Sequence, residues 1–175
     1  NHNISVSGGS EKSTFYISGG YIVDNGIVTT NDFRRITFRI NNDYNISKRL
    51  KLTTQLSYTR GNEKGVELGD TYRSVYRASP MVIAKDENGK YGNTSAFGKV
   101  GNPLLSMDTR NDRTQTSRFQ GNVALEYAPI EWLKLRTAFS ADNGFSNNRV
   151  YLTPFQTDLN TYITSGGNQR RLNSQ

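Results

Sequence analysis

The chain has 175 residues, with 22 lysines and arginines against 15 acidic residues, one histidine and no cysteine. The lack of cysteine excludes disulfides, cysteine-ligated zinc and thiol catalysis. No apolar run reaches the roughly 18 residues of a transmembrane helix, so a helical membrane protein is excluded, whereas a transmembrane β-barrel is not. Because the chain opens at Asn1 without an initiator methionine or a signal peptide, we expect a mature segment or part of a longer protein.

The net charge of +7 raises nucleic acid as a possible partner. The strand cations, however, are spread over the polar positions of several predicted strands instead of gathering on one helix or loop. The sequence also lacks zinc-finger spacing, a basic helix and an aromatic RNA-binding strand. We therefore expect no nucleic-acid partner.

The first half of the chain predicts four strands. Residues 3–7 and 14–23 form the first two, each with apolar residues at alternate positions. Asp24-Asn25-Gly26 is a turn signal. The segment 33–61 then alternates in period two through a turn and back, which predicts a β-hairpin with one apolar face and arms longer than the usual five or six residues.

Periodicity is lost between the two halves, where we predict a long loop over residues 62–112. Within it, residues 69–80 predict one short helix with Asp70 as N-cap and Pro80 as the stop. The rest of the loop, including GNPLLSMD, reads as turns. Asp86, Asn88 and Gly89 match part of a calcium-binding loop but lack its later ligands, so we expect a turn there and no metal site.

The second half predicts strands over 118–127 and 133–142, followed by a second loop over 145–175 with one more strand near 149–152. This hairpin repeats the first, because EYAPIEWLKL aligns with DYNISKRLKL and places Tyr127 on Tyr44. If Tyr44 opposes Leu50, the register places acidic residues opposite lysines and apolar residues opposite each other on the other face. The predicted pairs are Asp43 with Lys51, Glu126 with Lys134, Phe38 with Leu56, and Leu125 with Leu135.

Two architectures can explain a sheet with one apolar face. In a soluble β-sandwich or adhesin-like binding module, the apolar face packs on a second sheet. In an outer-membrane barrel it meets lipid, and the polar face lines the lumen. Alternating short and long turns, aromatic residues near strand ends and a polar opposite face favour an all-β, antiparallel transmembrane barrel segment of about six or seven long strands in a larger barrel.

The barrel hypothesis assigns side chains to two environments. The predicted lumen-lining residues are Arg35, Arg39, Lys51, Gln55, Arg118, Lys134 and Arg136. The predicted lipid-facing residues are Ile36, Phe38, Ile40, Leu52, Leu56, Leu125, Leu135 and Phe139.

Several motifs also resemble one protein family. In chain order they are SVSGGS, the YISGGYIVDNGIV run, DFRRITFRINNDY, LKLTTQLSY, the loop elements SP and GNPL, and the EYAPIEWLKLRTAFS hairpin. Their sequence and order resemble the β-barrel of SusC/RagA-type TonB-dependent outer-membrane transporters over most of the chain.

The resemblance implies that residues 1–175 are part of a barrel, without a complete domain. It implies a location in the bacterial outer membrane and a role in nutrient uptake, of oligosaccharides or peptides. The implied partners are outer-membrane lipid, a SusD-like surface lipoprotein and the TonB complex, which would act through an N-terminal part outside this sequence. No cofactor is implied.

The residues predict no enzyme, because the single histidine, His2, lies at a terminus and no nucleophile–base pair is recognisable. Glu63, Glu67 and Asp70 suggest a glycosidase pair, but a solvated loop explains them more simply. The predicted substrate-binding residues lie in the long loop, where exposed aromatics and arginines suit sugars or peptide carboxylates: Tyr72, Arg73, Tyr76, Arg77 and Tyr91, with Phe97 beyond them. The alternative is that these side chains pack the loop on itself or on a partner lid.

Overall fold

The computed structural model describes residues 1–28, 30–65, 68–94, 101–156, 162–163 and 168–174, with backbone alone for residues 70, 155–156, 162–163 and 168–174. The larger elements, in chain order, are β1 (His2–Gly9), β2 (Ser13–Asn25), β3 (Asp32–Ser47), β4 (Leu50–Gly65), α1 (Leu68–Arg77), α2 (Pro103–Thr109), β5 (Arg110–Ile130) and β6 (Leu133–Leu152). Three short strands follow: β7 (Phe155–Gln156), β8 (Tyr162–Ile163) and β9 (Asn168–Ser174). None of the described helices is long and apolar enough to span a membrane.

One antiparallel sheet dominates the molecule. Its strands lie in the order β1-β2-β3-β4-β5-β6-β9, so almost every strand pairs with its neighbour in sequence, and β7 and β8 form a separate two-stranded ribbon. The strands are long, reaching 21 residues in β5 and 20 in β6. The predicted all-β barrel segment of six or seven long antiparallel strands is confirmed as an open section of sheet, with β1 and β9 as its edges in the described part.

The strand register separates the side chains into two faces. Arg39 pairs with Ser57, Ser57 with Gln120, and Gln120 with Asp142, so this row of the sheet is polar across four strands. The next row is Ile40, Leu56, Gly121 and Ala141, and it points to the opposite face. By this register all the predicted lumen-lining residues share the first face, and all the predicted lipid-facing residues share the second.

The predicted hairpin register is wrong by two residues. Tyr44 pairs with Leu52 instead of Leu50, because the chain turns more tightly than expected and a bulge lies between Asn45 and Ser47. A second bulge between Tyr127 and Ile130 has the same effect in the copy. Consequently Phe38 pairs with Tyr58, and Leu125 with Thr137.

The predicted acid–lysine pairs form nevertheless. Lys51 Nζ lies 3.0 Å from Asp43 Oδ2, and Lys134 Nζ lies 3.8 Å from Glu126 Oε1. The partners are diagonal neighbours, since Asp43 itself pairs with Thr53 and Glu126 with Arg136. A long lysine side chain spans this diagonal.

Among the described residues, no second layer covers either face of the sheet. Ala124 is the one buried apolar side chain among the described residues, at 3% exposure, while Phe139 is 74% exposed. A β-sandwich of this size would bury a row of large apolar side chains between its two sheets. The sandwich alternative is therefore not supported by this fold.

The regular elements extend further than predicted. Strand β4 continues to Gly65 and β5 begins at Arg110, which shortens the loop between them to residues 66–109. Strand β6 runs to Leu152, so the expected second loop begins there instead of at residue 145.

The predicted loop helix is present as α1, but it begins at Leu68, so Asp70 lies inside it and is not the N-cap. The segment predicted as turns, GNPLLSMD, contains helix α2.

Candidate functional site

The polar face of the sheet contains a broad shallow depression of about 580 Å³. Its polar lining comes from four strands and consists of Arg39, Asn41, Gln55, Ser57, Gln120, Asn122, Ser140 and Asp142. Arg39 and Gln55 are predicted lumen-lining residues, and the structure brings them to the same surface. Period-two alternation forms the surface, because every second residue of each strand points to this side.

An ion pair adjoins this lining through Asp142, which is one of its residues. The guanidinium of Arg118 donates to both carboxylate oxygens of Asp142, over 2.9 Å and 2.5 Å. Gln120 Nε2 donates to the same carboxylate over 3.1 Å, and Asn122 Nδ2 donates to Ser140 Oγ over 2.6 Å. The ion pair is solvated and adds little stability, but the bidentate geometry holds its charges in fixed positions.

A second polar cluster lies further along the same face. Asn148 Nδ2 donates to Asp112 Oδ1 over 2.7 Å and to Thr114 Oγ1 over 2.8 Å, and Arg110 Nη2 lies 3.5 Å from Asp112 Oδ2. The sequence prediction missed these residues because it ended the strands at 118 and 142. The sequence carried little signal for them, because residues 110–117 are polar at both parities and show no apolar alternation.

This lining offers binding groups without a recognisable catalytic arrangement. Amides and hydroxyls both donate and accept hydrogen bonds, and the paired charges add polarity. The described residues contain no group of three or more histidine, cysteine, aspartate or glutamate side chains placed to hold a metal ion. Of the suggested glycosidase carboxylates, Glu63 lies in β4 and Asp70 in α1, while Glu67 is outside the described residues.

Helix α1 carries four of the predicted substrate-binding residues. Tyr72 and Tyr76 lie one turn apart, as do Arg73 and Arg77, so each pair occupies one side of the helix. Tyr72 is 57% exposed and Tyr76 is 93% exposed. With Leu68 and Val75, which are also exposed, the tyrosines form an apolar stripe on a helix surface that meets solvent in this structure.

Tyr91, the fifth predicted residue, lies in a different part of the loop and is engaged there. Its hydroxyl donates to Asp108 Oδ2 over 2.9 Å, and Lys85 Nζ lies 3.4 Å from the same oxygen and 4.7 Å from the centre of the Tyr91 ring. Partial burial raises the pKa of the Tyr91 hydroxyl, and the carboxylate of Asp108 raises the pKa of Lys85. For this residue the structure favours the alternative in which the loop packs on itself. Phe97 is outside the described residues.

Asn102 organises the loop, a role that sequence reasoning missed. Its side chain is buried, at 5% exposure, and its Nδ2 donates to the carbonyls of Ala84 and Gly92 over 2.7 and 3.3 Å. Its Oδ1 caps α2 by accepting from Leu104 N, with Pro103 at the first helical position. The expected turn at Asp86 is present, with Lys90 N donating to Asp86 Oδ1 over 2.7 Å.

Comparison with known proteins finds no matching family model but several related chains. TonB-dependent receptor P3 of Formosa agariphila is 28% identical over 165 residues, which cover 89% of this chain and 16% of the receptor. TonB-dependent receptor SusC of Bacteroides thetaiotaomicron is 24% identical over 189 residues, covering 94% of this chain and 19% of SusC. The chain is similar to a segment of each of these TonB-dependent receptors.

Solved structures agree on the fold. A structure of the RagAB peptide importer in its open-open state matches 97% of this chain with a TM-score of 0.72 at 20% identity. A structure of the closed-closed state matches with a TM-score of 0.71 at 21% identity. This chain spans about a fifth of the matched chain in both structures.

The resemblance found in the sequence is thereby confirmed, and with it the outer-membrane location of TonB-dependent receptors. The open sheet is a section of a larger barrel wall. The named relatives are receptors and importers, not enzymes. The chain spans less than a fifth of the length of the curated receptors that it matches.

Proposed function

We propose that this segment forms wall and loops of a TonB-dependent outer-membrane nutrient importer, with its apolar face against lipid and its polar face lining the lumen. The observation that carries the proposal is the separation of polar and apolar rows across paired strands, in a sheet that no other described part of the chain covers on either face. A barrel in a membrane needs such a sheet, because lipid meets the apolar side and water fills the polar side.

The height of the apolar face supports the membrane orientation. Three neighbouring strands carry the apolar band, over residues 36–44, 50–58 and 119–127. At about 3.4 Å per residue and a tilt of about 40°, each segment climbs roughly 20 Å, close to the ~25 Å apolar band of outer-membrane barrels. Each segment also ends in a tyrosine at one border, and Trp132 follows beside a short turn at 82% exposure, as expected for interfacial aromatic girdles.

In this orientation the predicted lumen residues, from Arg35 to Arg136, present charged and amide groups to passing cargo. The depression around Arg39 and Asp142 would then lie on the inner wall. Its alternating donors and acceptors suit the hydroxyl groups of an oligosaccharide or the peptide groups of an oligopeptide. The wall itself is passive, because transport energy would arrive through the TonB complex at a part of the protein outside this chain.

The loop between β4 and β5 is proposed as the extracellular element that meets cargo or a SusD-like surface lipoprotein. Its support is the exposed stripe on α1, where Tyr72 and Tyr76 present aromatic rings beside Arg73 and Arg77. Aromatic rings stack on sugars, and guanidinium groups bind peptide carboxylates. Tyr91 contributes to this surface indirectly, by holding the loop together.

Replacing Tyr72 and Tyr76 with alanine in the full-length receptor tests the cargo contact. At normal surface expression we expect nutrient uptake to fall at least about fivefold at limiting substrate, since each lost aromatic contact costs on the order of 0.5–1 kcal/mol. The matched control is M81A/I83A, which truncates two other exposed side chains of the same loop. Unchanged uptake in Y72A/Y76A would remove α1 from the cargo path.

A further inference from the structure

The charged side chains on the apolar face lie at only one end of the described strands. They are Asp32, Arg34, Arg60, Lys64, Arg113 and Arg149, all at the end where the long loop joins β4 to β5. At the opposite end, beside the short turns, the strand positions of this face carry Leu50, Leu52, Tyr127 and Leu135. We call the five basic residues, Arg34, Arg60, Lys64, Arg113 and Arg149, the cationic band.

Three residues of the cationic band oppose each other directly. Lys64 pairs with Arg113 across β4 and β5, and Arg113 pairs with Arg149 across β5 and β6. The backbone register continues from Arg149 to Arg170 in β9. Like charges at directly opposed positions of a sheet are destabilising. The arrangement therefore costs stability unless an anion lies against it.

The band has little internal neutralisation. Asp32 pairs with Lys64 in the register, yet no ion pair joins the two, and within the described ranges no band residue forms a salt bridge. Arg113 Nε donates to the neutral amide oxygen of Asn111 over 3.1 Å. The four arginines are exposed. Their charges are free to meet an external group.

A cleft of about 290 Å³ lies within the band. Its lining is Asp32, Arg34, Asn62, Glu63, Lys64, Arg113, Thr114 and Gln115, of which Glu63 and Thr114 belong by register to the other face. Two guanidinium groups, one ammonium and two side-chain amides provide the donors that bind phosphate oxygens, and guanidinium groups bind them in pairs. The cleft therefore suits a phosphate group held by several donors at once.

The position of the band relative to the apolar segments indicates where that phosphate comes from. On this face Arg34 and Arg60 follow directly after Ile36 and Tyr58, the last residues of the apolar segments, roughly 5 Å further along the barrel axis. Lys64 and Arg113 lie roughly 15 Å beyond the border, and their long side chains can reach back toward it. Arg34 and Arg60 therefore lie at the level of the lipid head groups, about 5–7 Å from the hydrocarbon core, and the side chains of Lys64 and Arg113 approach that level from outside.

We propose that the cationic band binds the phosphate-bearing head group of an anionic lipid in the membrane leaflet on the long-loop side. The inference rests on the membrane orientation proposed above and goes beyond it, because it assigns a specific lipid site to the outside of the wall. Basic side chains near a membrane surface attract anionic head groups. A bound phosphate would also relieve the repulsion between Lys64, Arg113 and Arg149.

The test uses the full-length receptor in a neutral detergent, titrated with phosphatidylglycerol or phosphatidylcholine and examined by native mass spectrometry. The variant K64Q/R113Q/R149Q removes three charges of the band. The matched control K48Q/R49Q removes charges from the short turn at the opposite border. A charge-conserving variant, K64R/R113K/R149K, separates loss of charge from loss of folding.

We expect the wild type, the short-turn control and the charge-conserving variant to prefer phosphatidylglycerol, and the triple glutamine variant to bind it at least about tenfold more weakly. Equal phosphatidylglycerol binding by all four proteins would overturn the site. So would displacement of the lipid by millimolar inorganic phosphate, because the site would then be one for free phosphate. If the wild type shows no preference while uptake remains normal, the lipid site fails and the importer proposal stands.

Discussion

At the scale of single residues, the loop is held by a few polar contacts that Asp108 and Asn102 make. This carboxylate accepts from Tyr91 and lies beside Lys85, so it joins α2 to the turn over residues 85–91. Asn102 makes the second connection, from the start of the same helix to the carbonyls of Ala84 and Gly92. These contacts position the base of the loop that carries α1.

Replacing Asp108 with asparagine should loosen this turn. We expect trypsin to cleave the folded receptor several-fold faster after Lys85 and Lys90, because the ammonium loses its anionic partner and the Tyr91 hydroxyl loses its charged acceptor. The control is E87Q, which changes an exposed carboxylate at the tip of the turn. Equal cleavage rates in the wild type, D108N and E87Q would show that Asp108 does not hold the loop.

The pH dependence of the Lys85 contact follows from the sign of its pKa change. Asp108 raises the pKa of Lys85 above its usual value of about 10.4, so the stabilisation is fully present below that value and is lost as the pH rises through the raised one. Protection of the turn should therefore be constant around neutral pH and decrease only in strong alkali. Partial burial raises the pKa of Tyr91 as well, which keeps its hydroxyl a donor over the same range.

At the scale of elements, the two repeated hairpins share the same tight turn with a bulge. Asp43 lies directly opposite Thr53, and Glu126 lies directly opposite Arg136. The lysines that form ion pairs with these two carboxylates, Lys51 and Lys134, lie two residues closer to the turn than Thr53 and Arg136. The cysteine variant D43C/T53C should therefore form a disulfide readily, since directly opposed Cα atoms lie about 4.5–5.5 Å apart.

The matched variant D43C/K51C tests the alternative register. Its two positions are diagonal neighbours at roughly 7–8 Å, too far apart for an unstrained disulfide. Both variants remove the Asp43–Lys51 ion pair, so the difference between them reports geometry alone. Faster cross-linking in D43C/K51C would contradict the register in the structure.

These hairpins also explain why the sequence predicted the faces of the sheet but not the partners. A slip of two residues leaves every side chain on the same face, so Arg39 and Phe38 keep their sides in both the predicted and the observed register. The register depends on how many residues the turn uses, and the bulges at Asn45 and Tyr127 have no clear signal in the sequence. The alternation of polar and apolar residues therefore predicted which residues share a face of the sheet, but it did not predict which residues pair across the strands.

The ends of the strands were underestimated for a related reason. Beyond Gly61 and before Arg118 both parities become polar, as in Glu63 and Thr114, and a pattern of apolar alternation ends there. Backbone pairing does not need apolar side chains, so the strands continue. Helix α2 had a start signal in Asn102 and Pro103, but seven residues are too few to show helical periodicity.

At the scale of the whole molecule, the sheet has the features expected of a section of a β-barrel wall. It has one described layer, a polar face that carries the Arg118–Asp142 ion pair, and an apolar band bordered by tyrosines. A free sheet of this kind would expose both its edges and its apolar face to water. Closure into a larger barrel and contact with lipid resolve both problems, which is the central claim of the proposed orientation.

Spin labels at two adjacent positions of β3 test that orientation most directly. The sequence has no cysteine, so F38C and R39C each introduce a single labelling site in this segment of the full-length receptor reconstituted in a bilayer. We predict that the label at position 38 collides mainly with lipid-soluble oxygen and the label at position 39 mainly with a water-soluble nickel chelate. The opposite pattern, or equal access of both reagents at both positions, would contradict the assignment of the apolar face to lipid.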